Sequence, residues 1–266
     1  MPQGDPAEFL TAGWCRFPID PKVVHWVRHA LPAARAAVED PANAHWYVCE
    51  GTWFVGVDAL PNDPTGAIGS SGPLTGQAVE FVCKHLGYWP PLHRAQVSVA
   101  YPGYPKPREG ESAGAFRYRL NRDAAHVDGL LAEGPERRRY VREPHAFILG
   151  LPLVRSDPGA APLVVYSGSH VVMRAAFQTA FSALPAAQWG DVDVTSLYNQ
   201  ARKDAFQTCA RLEVPVQPGE VVLLHRLTLH GVAPWAARDQ DRQQGRMIAY
   251  FRPQIPGGVS PWIEFP

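Results

Sequence analysis

Closely spaced cysteines are missing from this sequence. Its four cysteines, Cys15, Cys49, Cys83 and Cys209, lie far apart, and no Cys-x-x-Cys pair occurs. Zinc ribbons and dithiol redox motifs need such pairs, so neither is indicated. We expect reduced thiols that are mostly buried as small apolar side chains.

An excess of one charge is missing too. Twenty-five basic residues balance 25 acidic ones, so the formal net charge is zero. A protein whose main partner is a phosphate backbone carries excess positive charge. We therefore expect no nucleic-acid partner.

Long apolar runs are absent as well. The longest, such as residues 221–224, fall far short of the roughly 20 residues that cross a bilayer. The opening segment, MPQGDPAEF, contains acids and lacks the apolar stretch of a secretion signal. These features predict no membrane partner and a cytoplasmic location.

No linker divides the chain, so we predict a single domain over residues 1–266. The 27 prolines fit a loop-rich β protein and not disorder, because 46% of the residues are apolar. Residues 1–94 are expected to form a buttress of helices and strands. Residues 95–253 are expected to form the β core that carries the chemistry.

Hydrophobic periodicity separates a few helices from many short strands. The pattern predicts a mainly β barrel or sandwich with flanking helices. Helices are predicted over residues 21–38, 74–85, 173–184 and 194–207, and residues 44–57 read as extended. Strands are predicted over residues 95–101, 115–120, 145–154, 161–169, 211–216, 220–225 and 246–251.

A His-x-Asp triplet follows the strand predicted at residues 115–120. Because strand side chains alternate, His126 and Asp128 point to the same side and can meet a single metal ion. Further along, the segment PGEVVLLHRLTLHG offers His225 and His230, and Gly231 allows a tight backbone approach. Two histidines and one carboxylate on one face form the ligand set of non-haem iron(II) oxygenases.

The triplet alone is weak evidence in a chain with ten histidines. Three further segments follow in a consistent order: SGSH at residues 167–170, PGE at residues 218–220, and Gly245-Arg246 at the start of the last predicted strand. Together they strengthen the metal-site interpretation.

With these segments, the sequence resembles the phytanoyl-CoA dioxygenase-like iron(II)/2-oxoglutarate oxygenases. HVDGL, SGSH, PGEVVLLHRLTLHG and GRMIAYFRP carry the resemblance between about residues 95 and 253. It implies a double-stranded β-helix (a cupin-like jelly roll) with iron(II) held by His126, Asp128 and His230. It also implies Arg246 as the clamp for 2-oxoglutarate, dioxygen as second cosubstrate, and hydroxylation of a small molecule.

Physical chemistry agrees with these implied roles. Three protein ligands on one face of iron(II) leave three positions for a bidentate 2-oxo acid and dioxygen. An arginine such as Arg246 can grip the far carboxylate of that acid at two oxygens, which a lysine cannot do. Arg246 begins a strand that we expect to run beside the strand of His230. Asp128 favours hydroxylation, because the halogenating relatives replace this carboxylate by a small residue.

The sequence departs from the family between the distal histidine and the clamp. The segment GVAPWAARDQDRQQG, residues 231–245, is longer than usual and contains Arg238 and Arg242 as competing clamps. We retain Arg246, with Arg242 as the alternative. Relatives often have an asparagine where this chain has Trp235.

Two histidines near the motif have open roles. His170 in SGSH is expected to be structural or to support the ligands from outside the metal's coordination sphere. His225 is either a satisfied polar group at a strand end or a residue that supports the ligands.

A run of arginines follows the triplet. Arg137, Arg138, Arg139 and Arg142 could form a basic lid that favours an anionic substrate. The alternative, which the neighbouring glutamates 133, 136 and 143 favour, is a solvated face of balanced charge.

Two other functions compete with the oxygenase. A non-catalytic cupin-like protein could use the same barrel to bind a metal and a ligand, although Arg246 would then lack a purpose. A zinc hydrolase or isomerase could use the same three ligands, but no general base such as a paired glutamate is evident.

Overall fold

Alternation along the strands divides the apolar side chains between two cores. On strand β12 (Arg246–Phe251), Met247 and Phe251 join a large core beneath the helices, whereas Ile248 and Tyr250 face the opposite core. Both faces of the central strands are therefore buried, which explains their nearly continuous apolar sequences. This computed structural model describes residues 5–237 and 245–265.

The strands form two antiparallel sheets and a separate hairpin. The larger sheet has the order β1-β10-β7-β12-β4-β3-β2, the smaller one has the order β11-β8-β9, and β5 pairs with β6. The strands are β1 (Trp14–Phe17), β2 (Tyr47–Val48), β3 (Trp53–Phe54), β4 (Gln96–Ala100), β5 (Leu130–Glu133), β6 (Arg138–Val141), β7 (Phe147–Pro152), β8 (Leu163–Ser167), β9 (Ala210–Val214), β10 (Val221–His225), β11 (His230–Val232) and β12.

The second core lies between the two sheets. Ile148, Val222 and Ile248 of the larger sheet pack there against Leu163 and Val165 of the smaller one. Two antiparallel sheets that face each other over a shared apolar core are the architecture of a jelly roll.

Most of the helices pack over the outer face of the larger sheet. Helix α2 begins with Asp20 and Pro21, and Asp20 Oδ1 accepts a hydrogen bond from Lys22 N at 2.8 Å. The other Asp20 oxygen caps α3 by accepting from Gln77 N at 2.9 Å, so one side chain joins two helix starts. The helices are α1 (Pro6–Ala12), α2 (Pro21–Glu39), α3 (Gln77–Leu86), α4 (Ala113–Leu120), α5 (Ser169–Phe181), α6 (Thr195–Thr208) and α7 (Val259–Glu264), with 3-10 turns at Pro41–Trp46 and Ala186–Asp191.

The segment before residue 95 extends the larger sheet at both edges. Cys15 of β1 pairs with Leu223 of β10, and Phe54 of β3 pairs with Val99 of β4. The expected buttress therefore supplies strands to the same sheet that the later residues build. A division at residue 95 remains a prediction.

One predicted strand is wrong. Residues 115–120 form most of helix α4, because Ser112 caps the helix by accepting from Ala115 N at 3.2 Å. Arg119 then reaches back to Glu111 at 2.7 Å, a contact that the helical turn makes possible. The expected extended run at 44–57 is reduced to a 3-10 turn and the short strands β2 and β3.

Within the described part of the chain, every helix is too short or too polar to span a bilayer.

A buried cluster of histidine and arginine supports the helix-covered side of the larger sheet. His225 at the end of β10 is 1% exposed, its Nδ1 accepts from Leu227 N, and Arg174 lies 3.0 Å from its Nε2. Burial, with the nearby charge of Arg226, holds the pKa of His225 well below its usual value. The ring is therefore neutral in the folded protein.

Acid is expected to destabilise the protein through His225. Because its pKa is lowered on folding, the unfolded chain takes up the proton first as the pH falls. The stability that the neutral ring contributes is complete above about pH 7 and is lost progressively below about pH 6.5. Urea unfolding between about pH 7.5 and 5.5 should show that the free energy of unfolding falls by up to about 1 kcal/mol per pH unit because of this group.

The variant His225→Gln should lose part of that pH dependence. His25→Gln is the control, since His25 lies on the exposed face of α2. An unchanged slope in His225→Gln would contradict this account of the buried ring.

Candidate metal centre

Two backbone hydrogen bonds bring the first and last expected ligands together. His126 N donates to His230 O at 2.8 Å, and His230 N donates to His126 O at 3.1 Å. The two residues face each other as an antiparallel pair, and their ring centroids are 4.9 Å apart. Side chains of such a pair lie on the same side, so both imidazoles reach one point.

This close approach depends on the glycine after the distal histidine. A Cβ on Gly231 would lie 2.1 Å from Asp123 O, and Val232 N donates to that same carbonyl at 2.8 Å. The Asp123 carboxylate is itself held by Arg211 at 2.7 Å. Gly231 therefore lets the segment that carries His126 pack directly on β11.

The two imidazoles are oriented in the same way. His126 Nδ1 lies 3.0 Å from Ala124 O, and His230 Nδ1 lies 2.9 Å from Thr228 O. Each Nδ1 therefore carries a proton that it donates to a carbonyl two residues earlier. Each Nε2 is left to meet a metal ion, which is the usual way in which proteins orient a ligating histidine.

Asp128 completes the group. Its Oδ1 lies 3.0 Å from His126 Nε2, and its Oδ2 lies 3.8 Å from His230 Nε2. One donor atom from each of the three side chains lies within 4.8 Å of the others. Two imidazole nitrogens and one carboxylate oxygen on one side suit iron(II) or another divalent transition metal and leave positions open.

Electrostatics prepare Asp128 and His230 to bind a cation. Burial opposes ionisation of Asp128, but the contact with His126 and the nearby positive charge of Arg252 outweigh burial and hold its pKa well below its usual value. Burial lowers the pKa of His230 to about 4 despite the opposing charge of Asp128. At neutral pH the site therefore offers an ionised carboxylate and an unprotonated His230 Nε2.

A cavity of about 230 Å³ between the two sheets opens onto these ligands. Its walls are mainly apolar, with a few polar groups near the ligands. The apolar wall consists of Trp53, Val55, Val57, Ile148, Leu163 and Val232, and the polar groups are Gln96, Ser98, Tyr250 and Arg252.

Arg246 lies inside the barrel at the far end of β12. Its side chain shares a strand face with Ile248 and Tyr250, and it is only 4% exposed. Its NH2 donates to Tyr250 OH at 3.3 Å, and Tyr250 in turn lines the cavity. No carboxylate pairs with Arg246 within residues 5–237 and 245–265.

Two placements differ from the sequence interpretation. The His126 triplet follows helix α4 and a turn, not a strand, so its geometry comes from the pairing with His230. Strand β12 was expected beside the His230 strand, but it pairs with β4 and β7 in the larger sheet, whereas β11 pairs with β8. Arg246 therefore lies on a strand of the larger sheet and not on a strand that pairs with β11.

The other histidines of the motifs have structural contacts. His170 Nε2 lies 2.8 Å from Leu10 O, and its ring packs 5.0 Å from that of His225. Neither residue lines the cavity beside the ligands.

Acidic side chains offset the charge of arginines in the run that follows the triplet. Arg138 contacts Glu136 and Asp193 at 2.6 Å, and Arg142 contacts Glu133 at 2.5 Å and Asp191 at 3.1 Å. These pairs support the solvated charged face and not the basic lid. The competing clamps Arg238 and Arg242 lie outside the described residues.

Several residues of the site were not found from the sequence. Val55 and Val57 come from the segment expected to buttress the core, yet together with Trp53 they form one wall of the cavity. Arg252 lies 3.4 Å from Asp128 Oδ2. The sequence could have indicated Arg252, because alternation along a strand places residue 252 on the same inward face as residues 246, 248 and 250.

Solved structures of low sequence identity share this architecture. The epimerase SnoN, solved in complex with Fe3+, alpha-ketoglutarate and nogalamycin RO, matches at a TM-score of 0.53 and 15% identity, over 98% of this chain and 88% of that one. The chain has the SnoN fold. EvdMO1 matches at a TM-score of 0.50 and 15% identity, over 94% of this chain and 49% of that one.

These likenesses confirm the predicted double-stranded β-helix with flanking helices. No protein-family model and no curated protein matches the sequence. The fold is thus shown by structure, while the narrower family assignment remains a proposal.

Substituting Gly231 should disrupt the candidate metal centre by pushing apart the two backbone segments that carry His126 and His230. Gly231→Ala places a methyl group against Asp123 O, so we expect a loss of about 1–3 kcal/mol in the free energy of unfolding. Cobalt(II) binding should weaken as His230 moves away from His126. Urea unfolding and cobalt(II) titration measure the two effects.

Gly114→Ala is the matched control. Gly114 lies in helix α4, and a Cβ there would meet nothing within 4 Å. This variant should therefore keep metal binding, and its free energy of unfolding should rise by up to about 1 kcal/mol. Equal behaviour of the two variants would show that the close approach at Gly231 is unimportant.

Proposed function

We propose that this chain is a non-haem iron(II)- and 2-oxoglutarate-dependent dioxygenase that hydroxylates a small molecule. His126, Asp128 and His230 are proposed as the iron ligands and Arg246 as the cosubstrate clamp. The observation that carries the proposal is the three-donor group, which faces a mainly apolar cavity. A metal held from one side in such a cavity keeps positions for cosubstrate and dioxygen.

The choice of cofactor has support from the fold and the donor set. SnoN, which shares the fold, was solved with Fe3+ and alpha-ketoglutarate. The imidazole and carboxylate donors suit iron(II), and the buried Arg246 without a carboxylate partner in the described chain suits an anion. A buried guanidinium is costly unless an anion compensates it, and the far carboxylate of 2-oxoglutarate would do so.

The chain's own side chains prepare the site for this chemistry. Bound iron(II) and 2-oxoglutarate would together supply the power to oxidise an unactivated C–H bond with dioxygen. Trp53, Ile148 and Leu163 give the cavity an apolar wall, and Asp128 and the two histidines would hold the metal from one side. Because Asp128 retains its carboxylate, we propose hydroxylation and not halogenation.

The cavity also indicates the kind of substrate. About 230 Å³ suffices for a small cosubstrate and the reacting part of a substrate, and an adjoining open groove of about 400 Å³ shares Val57 and Arg252 with it. The groove also presents Asp58, His93 and Glu143. We propose a small molecule whose apolar reacting part enters the cavity while hydrogen-bonding groups remain in the groove.

A narrower proposal concerns the family. The segments HVDGL and GRMIAYFRP support membership of the phytanoyl-CoA dioxygenase-like oxygenases. The described geometry is compatible with that membership, since the first segment supplies His126 and Asp128 and the second supplies Arg246.

An anaerobic titration with iron(II) and 2-oxoglutarate tests the proposed function. The weak visible charge-transfer band of a chelated 2-oxo acid should appear with the wild-type protein. It should vanish in His126→Ala, because that variant removes a metal ligand, and weaken in Arg246→Ala. A protein that binds the metal without a band would instead be a cupin-like binding protein or a zinc enzyme.

The identity of the clamp is tested by the kinetics of 2-oxoglutarate. Arg246→Lys keeps the charge but loses one charge-assisted hydrogen bond worth about 1.5–3 kcal/mol, so the KM for 2-oxoglutarate should rise roughly 10- to 100-fold. Succinate release, with or without substrate, provides the assay. Arg242→Lys is the matched comparison, and the larger effect identifies which of the two arginines binds the cosubstrate.

A further inference from the structure

Arg252 lies where the metal cavity meets the outer groove. It follows the last residue of β12, its side chain is 19% exposed, and it lines both spaces. Arg246 lies at the other end of the same strand. Arg252 lines the cavity directly, and it has no role in the function proposed above.

The guanidinium of Arg252 contacts the carboxylate of the ligand group. Arg252 NH1 lies 3.4 Å from Asp128 Oδ2, while Asp128 Oδ1 faces His126 at 3.0 Å. Among the described residues, Arg252 is the one lysine or arginine that contacts Asp128. The two carboxylate oxygens thus have different neighbours, since Oδ1 lies beside the His126 imidazole and Oδ2 lies between the Arg252 guanidinium and the His230 imidazole.

The backbone of Arg252 is held on two sides. Arg252 N donates to His93 Nε2 at 2.9 Å, and His93 Nδ1 lies 3.2 Å from Asp58 Oδ1. Pro253 O accepts from Ala146 N at 2.7 Å. The chain end of β12 is therefore anchored, which limits where the guanidinium can go.

We infer that Arg252 is a positioning residue for the metal ligand Asp128. By engaging Oδ2, it holds the carboxylate in one rotamer, with Oδ1 turned toward His126 and Oδ2 near His230, before any metal arrives. It also compensates the negative charge of a carboxylate that is buried inside the barrel. Groups that orient a metal ligand in this way typically contribute about 10- to 100-fold to metal affinity.

This inference rests on the proposed metal centre but not on the oxygenase reaction. Its test therefore uses cobalt(II) alone, without 2-oxoglutarate or dioxygen. Binding is measured by competition with a chromophoric chelator and by the visible absorption of the bound cobalt(II), whose shape reports the arrangement of its ligands.

Three variants separate positioning from general structure. Arg252→Met should weaken cobalt(II) binding about 10- to 100-fold and alter the shape of its spectrum. Arg252→Lys, which restores a cation near Asp128, should recover at least part of both. Arg16→Met is the control, because Arg16 is similarly half-buried at 25% exposure and pairs with Glu220 on an edge strand far from the ligands.

His93→Ala provides a second route if Arg252→Met folds poorly. It removes the acceptor of Arg252 N without touching the guanidinium or the ligands, so metal binding should weaken in the same direction but less. Thermal unfolding of each variant separates loss of affinity from loss of fold.

The outcomes are distinct. Wild-type affinity and an unchanged spectrum in Arg252→Met would overturn the inference, as would equal losses in Arg16→Met. Absence of cobalt(II) binding by the wild-type protein would overturn the metal centre and this inference together. Metal binding that depends on Arg252, without a 2-oxoglutarate band, would support the inference and refute only the oxygenase.

Discussion

The reciprocal hydrogen bonds between the backbones of His126 and His230 are the constraint on which the rest of the site depends. They place on one side two imidazoles that come from a turn after α4 and from the start of β11. Gly231 permits the contact because no side chain keeps the two segments apart. Once the backbones are paired, each imidazole needs only a carbonyl two residues earlier to fix its orientation, and both have one.

Charged side chains lie close to that pair of histidines. Asp128 is a buried carboxylate, and such a group is tolerated only beside a metal ion, hydrogen-bond donors or a cation. Arg252 faces it at one end of β12, while Arg246 lies at the other end with no carboxylate beside it in the described chain. A divalent metal near Asp128 and a dianionic acid between metal and Arg246 would leave each of these buried charges compensated. The electrostatics thus agree with the function proposed from the donor set.

The strands that the sequence predicted well are those buried on both faces. Residues 145–154, 220–225 and 246–251 are nearly continuous apolar runs, and each contains a strand of the larger sheet. Residues 115–120 alternate aromatic and basic side chains, which looks like a half-buried strand, yet the cap at Ser112 selects a helix. His126 and Asp128 were expected to lie together, but the reason given for it was wrong. His126 and Asp128 do meet, but through a turn paired with β11 and not through alternation along a strand.

The sequence by itself determined the kinds of donor and their order along the chain, because imidazole, carboxylate and guanidinium chemistry is a property of residue type. It also determined the mainly β fold, since apolar runs bounded by glycine and proline are local signals. Only the tertiary structure decided that Arg246 lies on a strand of the larger sheet that does not pair with β11, and that Val57 forms a cavity wall. The partnership of Arg252 with Asp128, 124 residues apart, was likewise decided there. Contacts between distant segments depend on sheet register and packing, which no local pattern encodes.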